Sequence, residues 1–316
     1  MDDQLPESVL TAKNELLKGN VVAIPTETVY GLAANGLDTS AVIKIFEAKN
    51  RPFFDPLILH TSSLEKVKDL IRFFPDTAKV LAEKFWPGPM TLLLPKKNII
   101  PDIVTSGLPN VAIRIPAHKL TLQLLAAIDF PVAAPSANPF GYVSPTTAQH
   151  VKSQLGEKVS YILDGGPCRV GIESTIIGFE NDRTIIHRVG GLTIEEIEKV
   201  TGKTLLNTNL SSNPKAPGQL KSHYATRKRL IVGNIEKLLG EYNENNVGII
   251  SFSVKYKNKN NVVLSETGDL KQAAQRLFSA MREMDESNVE LILAETFPDE
   301  LLGKAINDRL KRAAAE

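Results

Sequence analysis

The chain has little of several things that fix a protein's chemistry. Its 316 residues include one cysteine, Cys168, which excludes an intramolecular disulfide and a multi-cysteine zinc site. A lone thiol fits a reducing cytoplasm. Charge of one sign is missing as well, since 37 basic minus 36 acidic residues leaves +1. That balance argues against gripping nucleic acid by bulk electrostatics and leaves room only for a local basic pocket. No apolar run approaches the roughly 20 residues that span a bilayer. The opening MDDQLPESVL has neither the basic region nor the apolar stretch of a signal peptide. The expectation is a soluble cytoplasmic protein with no membrane contact.

Glycine-based nucleotide motifs are also lacking. Gly202-Lys203-Thr204 resembles the end of a phosphate-binding loop, but Ile197 stands where that loop needs a glycine. The tripeptide also follows an expected helix, whereas phosphate is held at a helix N-terminus. Gly165, Gly166 and Gly171 miss the dinucleotide spacing. Any nucleotide must be held in another way.

What is present is an ordinary globular composition, 42% hydrophobic and 23% charged, with length for about two domains. Helical periodicity runs from Pro6 to Lys18 and from Asp38 to Lys49, and again over Leu64–Ile71, Thr77–Phe85, Leu120–Ala127 and Thr147–Leu155. Short apolar strands are expected at Val21–Ile24, Leu57–His60, Met90–Leu94, Val111–Ile115, Val132–Ala134, Tyr161–Leu163, Ser174–Ile177 and Thr184–Arg188. This alternation predicts an α/β or α+β sheet with flanking helices over residues 1–202. Thr193 with Glu196 makes a capping box for a helix ending at Gly202. Residues 203–226 carry three lysines and no acid, show no periodicity, and read as a linker. From 227 to 316 a second α/β pattern follows, with 14 basic and 14 acidic side chains and no obvious catalytic cluster.

The chemistry is sought where polar residues sit in turn-rich breaks at strand ends. Pro25–Leu32, PTETVYGL, offers hydroxyls and backbone N–H groups, or simply a hydrogen-bonded turn. In Lys49–His60, KNRPFFDPLILH, the cations Lys49 and Arg51 could hold a polyphosphate, or could merely complement a helix C-terminus. His60 at the strand end is either structural or functional. Arg114 lies in an apolar strand and needs a partner, either a ligand carboxylate or a structural salt bridge. Ser136 and Asn138 in APSANPFG bind a phosphate or shape a turn, and GIESTII and HRVG place Ser174 and Arg188 near strands.

In this order, PTETVYGL, KxRP, SxN, ESTI and RxG resemble the YrdC/Sua5 family of threonylcarbamoyl-AMP synthases, over about Leu10 to Thr201. Pro217–Ala225, PGQLKSHYA, resembles the segment that joins the two domains of the longer, Sua5-type members. The resemblance implies a YrdC-like twisted open sheet with a concave basic pocket, followed by a small C-terminal Sua5-type α/β domain. It implies synthesis of L-threonylcarbamoyladenylate and pyrophosphate from L-threonine, bicarbonate and ATP with Mg2+. That product serves N6-threonylcarbamoyladenosine at tRNA position 37 through a downstream tRNA threonylcarbamoyltransferase machinery, with a weak tRNA contact at most. Carried over by position, Lys49 and Arg51 are catalytic, and Thr28, His60, Arg114 and Ser174 contact threonine. Arg51, Asp55, Asn110, Ser136, Asn138, Ser144, Arg188 and Tyr224 fall at ATP-contacting positions, and no metal ligand is assigned. Asp55 and Asn110 depart from the family, which commonly has Asn and a hydroxyl residue there. Tyr224, or its neighbour His223, approaches the nucleotide when the linker folds over. Two other readings share the fold. An RNA-binding module is disfavoured by the neutral charge, and a carbamoyltransferase would need extra modules for which the chain has neither cysteines nor room.

Overall fold

In the computed structural model, residues 5–180, 183–207, 223–242 and 246–315 are described. Among them, the first sheet has ten strands: β1 (Val22–Ile24), β2 (Gly31–Asn35), β3 (Ile58–His60), β4 (Met90–Pro95), β5 (Asn110–Arg114), β6 (Val132–Ala133), β7 (Tyr161–Ile162), β8 (Thr175–Glu180), β9 (Arg183–Arg188) and β10 (Leu205–Leu206). It is accompanied by the helices α1 (Glu7–Leu17), α2 (Thr39–Lys49), α3 (Leu64–Leu70), α4 (Asp76–Phe85), α5 (Asp102–Thr105), α6 (Lys119–Ala126), α7 (Ala148–Leu155) and α8 (Ile194–Thr201). The strand order is β10-β9-β8-β4-β5-β3-β6-β2-β1-β7. Parallel and antiparallel pairs are mixed, so the α/β expectation with flanking helices describes the architecture.

Strand alternation divides the residues between the two faces of this sheet. Leu57, Leu59, Val111, Ile113 and Ile177 enter the main core with α2 and α4 side chains such as Ile45 and Leu81. Ile58, Ala112, Leu93 and Ile176 form a small apolar floor of their own. His60 and Arg114 share the parity of Ile58 and Ala112, so they stand on that second face.

The C-terminal sheet is all parallel, in the order β11 (Arg229–Gly233), β14 (Leu291–Glu295), β12 (Val247–Ser251), β13 (Asn261–Val263). It carries α9 (Ile235–Leu239), α10 (Leu270–Glu286) and α11 (Leu301–Ala313). Its core includes Leu277, Phe278, Met281 and Ile306, but also Val29, Val143 and Ile172 of the first sheet's loops and Tyr224. The two domains therefore share one apolar cluster. Arg282 of α10 strengthens this seam by donating to the carbonyls of Val143 and Ser144.

Three strands escape the sequence reading for a common reason. β2 (GLAAN) is built from residues with weak strand preference, and it forms because it pairs with β1 and β6. At Gly31 an added Cβ would meet that of Ala134 at 3.2 Å, so glycine permits the close approach. β10 pairs with β9 at Ile185 and Ile186, which extends the first sheet past Gly202 into the expected linker. β13 pairs with β12. Helices α5 and α9 are too short to show a period. Residues 208–222, including Lys215 and Lys221 of the expected linker, lie outside the described residues.

Candidate active site

β3 and β5 run parallel with His60 opposite Arg114, which sets an imidazole beside a guanidinium at two strand ends. Around them Thr28, Arg51, Ser136, Ser174, Arg188 and Tyr224 close a cavity. It encloses about 580 Å3 of empty space counting its mouth, but only about 60 Å3 has room for the centre of a water molecule. Small-molecule sites commonly occupy roughly 300–1,000 Å3. His223 and Tyr224 lie across one side.

Local structure explains each placement. Thr26 folds the loop before β2: its Oγ1 accepts from the backbone N–H of Thr28 and Val29 and donates to Val29 O at 2.6 Å. The turn reading of PTETVYGL is thus true, and it aims the Thr28 hydroxyl at Arg114. Helix α2 starts at Asp38, whose side chain accepts from Ser40 N, and ends at Asn50 in the left-handed region with φ 52°. That left-handed cap turns the chain so that Arg51 enters the cavity wall. The Ser136–Asn138 turn is pinned from below by Lys49, whose Nζ donates to Ser136 O at 2.5 Å and Asn138 O at 2.6 Å.

The arginines differ in how they are balanced. Arg114 Nη2 lies 2.7 Å from Glu27 Oε1, Nη1 donates to Thr28 Oγ1 at 2.8 Å and Nε to Gly88 O at 3.2 Å. Three of its five N–H donors are engaged, leaving two. Arg51 Nη2 pairs with Asp55 at 2.8 Å, and both side chains are buried. Arg188 instead donates to Ser174, to O through Nε and Nη2 and to Oγ through Nη2 at 3.1 Å. Burial lowers its pKa to about 10, so it remains a cation at neutral pH without a carboxylate in ion-pair contact among the described residues. His60 is the opposite case. Burial, then Arg114, push its pKa down to about 3, so it is neutral. Its Nδ1 lies 3.2 Å from Ile58 O, a contact that needs the proton on Nδ1 and leaves Nε2 as an acceptor.

Several expected site residues stand behind the wall rather than in it. Lys49, expected to be catalytic, is 1% exposed, donates to the turn carbonyls and is not among the residues lining the cavity. Asp55 faces Arg51, which removes the repulsion an isolated anion would exert on phosphates. Asn138 Nδ2 donates to Pro139 O and Tyr142 O, and Ser144 Oγ donates to Glu173 at 2.5 Å; both shape the wall from outside the cavity. Asn110 is not near it. It starts β5, four residues from Arg114, and at 3.3 Å per residue that separates them by roughly 13 Å. It lines a surface depression with Leu93 and Phe179 instead.

Sequence reasoning missed Glu27, Glu173, Arg309 and Arg312. Glu27 and Glu173 sit inside the quoted motifs, and the need of Arg114 for a partner was the signal for Glu27. Glu173 lines the cavity and pairs with Arg309 of α11 at 3.0 Å. Tyr224 is fully buried with φ 66°, stacked on Phe278 and flanked by the guanidinium groups of Arg309 and Arg312 at 5.4 and 5.2 Å. Such a backbone conformation costs a non-glycine residue about 1–3 kcal/mol and persists where packing over-determines it. No group of three or more His, Cys, Asp or Glu side chains that could hold a metal ion occurs among the described residues.

A family model for Sua5, YciO and YrdC proteins, described as telomere recombination, matches residues 14–190. A second, described as the C-terminal domain of threonylcarbamoyl-AMP synthase, matches residues 192–315. The chain belongs to the YrdC/Sua5 family of threonylcarbamoyl-AMP synthases. It is 42% identical to the threonylcarbamoyl-AMP synthase of Pyrococcus abyssi over 312 residues, covering 94% of this chain and 91% of that protein. The Bacillus subtilis threonylcarbamoyl-AMP synthase is 41% identical over 313 residues, covering 95% and 90%. The fold superposes on the crystal structure of P. abyssi Sua5 complexed with L-threonine with a TM-score of 0.93, at 41% identity, covering 97% of this chain and 94% of that one. No helix among the described residues is long and apolar enough to cross a membrane.

Proposed function

We propose that this cavity condenses L-threonine, bicarbonate and ATP into threonylcarbamoyl-AMP and pyrophosphate. The observation that carries the division of labour is the charge balance of the wall. Arg114 and Arg51 each have a carboxylate within 2.8 Å, whereas Arg188 has none in ion-pair contact among the described residues and feels Glu173 only at longer range. An anion entering the cavity is therefore drawn to the Arg188 side, with Arg51 and Ser136 near it, and this is where the triphosphate belongs. The two remaining N–H donors of Arg114 take the threonine carboxylate, and Thr28, Ser174 and His60 Nε2 read its hydroxyl and amine.

The reaction balances in two steps. The threonine ammonium group gives up a proton, and the free amine takes up bicarbonate with loss of water to give an N-carboxylate. One oxygen of that carbamate then attacks the α-phosphorus of ATP, and pyrophosphate leaves with the electron pair of the broken P–O bond. Such chemistry depends on alignment and charge stabilisation rather than on a protein nucleophile. Mg2+ bound with ATP would supply further neutralisation of the phosphate charge. His223 and Tyr224 stand across one side of the cavity and, with the substrates bound, help to exclude water, which would hydrolyse the carbamate and the adenylate. The Tyr224 hydroxyl is buried without a hydrogen-bond partner and is available to the nucleotide. The product is an activated acyl donor, and a separate transferase consumes it on adenosine 37 of tRNA.

Mass detection of threonylcarbamoyl-AMP after mixing the chain with ATP, Mg2+, bicarbonate and amino acids tests this. Pyrophosphate release should require both threonine and bicarbonate. Equal turnover with valine, which lacks the hydroxyl that the polar wall reads, would refute the assignment of Thr28, Ser174 and His60.

A further inference from the structure

The C-terminal domain reaches the cavity wall through a buried cation. Arg309 of α11 is 0% exposed. Its Nε lies 3.0 Å from Glu173 Oε2 and its Nη1 donates to Val189 O at 2.6 Å. Its guanidinium also packs on the Tyr224 ring, and Asp308 pairs with Nη1 at 2.9 Å. Glu173 and Tyr224 both line the cavity, and Val189 directly follows Arg188. Through Glu173 the contact extends to Ser144.

Charge makes this arrangement consequential. A lone buried carboxylate in this wall would repel the triphosphate. Burial by itself raises the Glu173 pKa, but Arg309, Arg188 and the Ser144 hydroxyl together hold it below the ordinary value. Glu173 is therefore ionised, and its nearest counter-charge comes from the other domain. The same helix steadies the backbone beside Tyr224, because His223 N donates to Arg312 O at 3.3 Å.

We propose that Arg309 is a positioning residue for the synthase reaction: it cancels the charge of Glu173 and fixes Tyr224, so the C-terminal domain completes the nucleotide side of the active site. This rests on the assignment of the cavity to threonylcarbamoyl-AMP synthesis. It gives the C-terminal domain a part in ATP binding that its own sequence does not announce.

The test uses the full chain with Arg309→Met, Arg309→Lys, Glu173→Gln and the Arg309→Met/Glu173→Gln pair. Pyrophosphate release is followed with ATP and threonine varied separately. Arg309→Met should raise the KM for ATP about tenfold or more and leave that for threonine near its native value. The double variant should recover most of the ATP KM, since Glu173 is then uncharged and Asp308 keeps Arg312 at 3.6 Å. Arg309→Lys keeps the charge but not the planar fork, should fall between, and carries the same test where Arg309→Met does not fold. A substrate-free measurement accompanies the kinetics: hydrogen exchange at the amides of His223 and Ala225, which donate to Arg312 O and Gly141 O, should quicken in Arg309→Met. If the native chain makes no adenylate, the activity assignment falls while the exchange result still judges Arg309. A lowered melting temperature with native ATP KM and native exchange would overturn the positioning role. So would a double variant no better than Arg309→Met.

Discussion

The ten-stranded sheet and helix α11 contribute to one cavity in opposite ways. The sheet presents functional groups at strand ends and tight turns, where a short local motif places each one: Thr28 beside Arg114, Arg51 after a left-handed cap, Ser174 before β8. Helix α11 works from behind the wall. It delivers Arg309 and Arg312 from a buried face that also carries Leu302, Ala305, Ile306, Leu310, Ala313 and the polar Asn307. On the proposed assignment the sheet supplies the groups that meet substrate, and the helix supplies the charge and packing that hold them. A site can thus be completed by a domain that carries no recognisable catalytic motif.

Ending the chain after Gly202 is the strongest way to break this comparison. It removes Arg309 and exposes Val29, Val143 and Ile172, which share a core with the C-terminal domain. His223 and Tyr224 leave the cavity wall with that domain and Glu173 loses Arg309, so synthesis should fall by at least about 100-fold, about 2.7 kcal/mol, while the first sheet still folds with a lower melting temperature. Full activity in the truncated chain would show that the sheet alone is the enzyme.

Arg51 tests the sheet's own share. Arg51→Ala by itself strands Asp55, so the informative variant is Arg51→Ala with Asp55→Asn, measured as kcat for pyrophosphate release. Loss of a transition-state charge contact costs about 2.7–4 kcal/mol, a fall of roughly 10²–10³. Native turnover would return Arg51 to a helix-end role. Asp55→Asn alone should have a smaller effect, since Arg51 keeps the carbonyls of Asp55 and Pro56 as acceptors. ATP should bind as well as before or tighter, with some loss of thermal stability. Weaker ATP binding would give Asp55 a role of its own.

The last effect is on pH dependence and vanishes at neutral pH. His60 is held neutral with a pKa of about 3, whereas an unfolded imidazole takes up its proton near about pH 6.5. The unfolded state therefore binds protons first as pH falls. The stability attached to neutral His60 is full above about pH 6.5 and drains away toward about pH 3, by up to about 1.4 kcal/mol per pH unit. Denaturant titrations of His60→Gln should show a shallower slope between about pH 6.5 and 4. An unchanged slope would mean that His60 is not buried neutral.

Much of the first domain is legible in the chain because its signals are local. Apolar periodicity announces α1, α2 and most strands, and turn-forming residues mark where the polar groups gather. What fails is also physical. Asn110 and Arg114 are close in sequence, yet an extended strand carries them to opposite ends of the sheet. Lys49 and Arg51 look equivalent, yet two carbonyls from a turn nearly ninety residues away capture the first. In α11 the clue was an arginine falling on an apolar stripe, at Arg309 and again at Arg312, which signals a buried partner without saying where that partner lies.

The sequence by itself determined the family, the α/β character and the set of side chains from which the cavity is drawn, because motif and periodicity depend on neighbours along the chain. Only the tertiary structure decided which of those side chains meet. Ion pairing and burial join residues far apart in sequence: Glu27 to Arg114, Lys49 to the Ser136–Asn138 turn, Glu173 to Arg309. Such pairs form where two surfaces exclude water together, and nothing along a single stretch of chain records where its partner surface is.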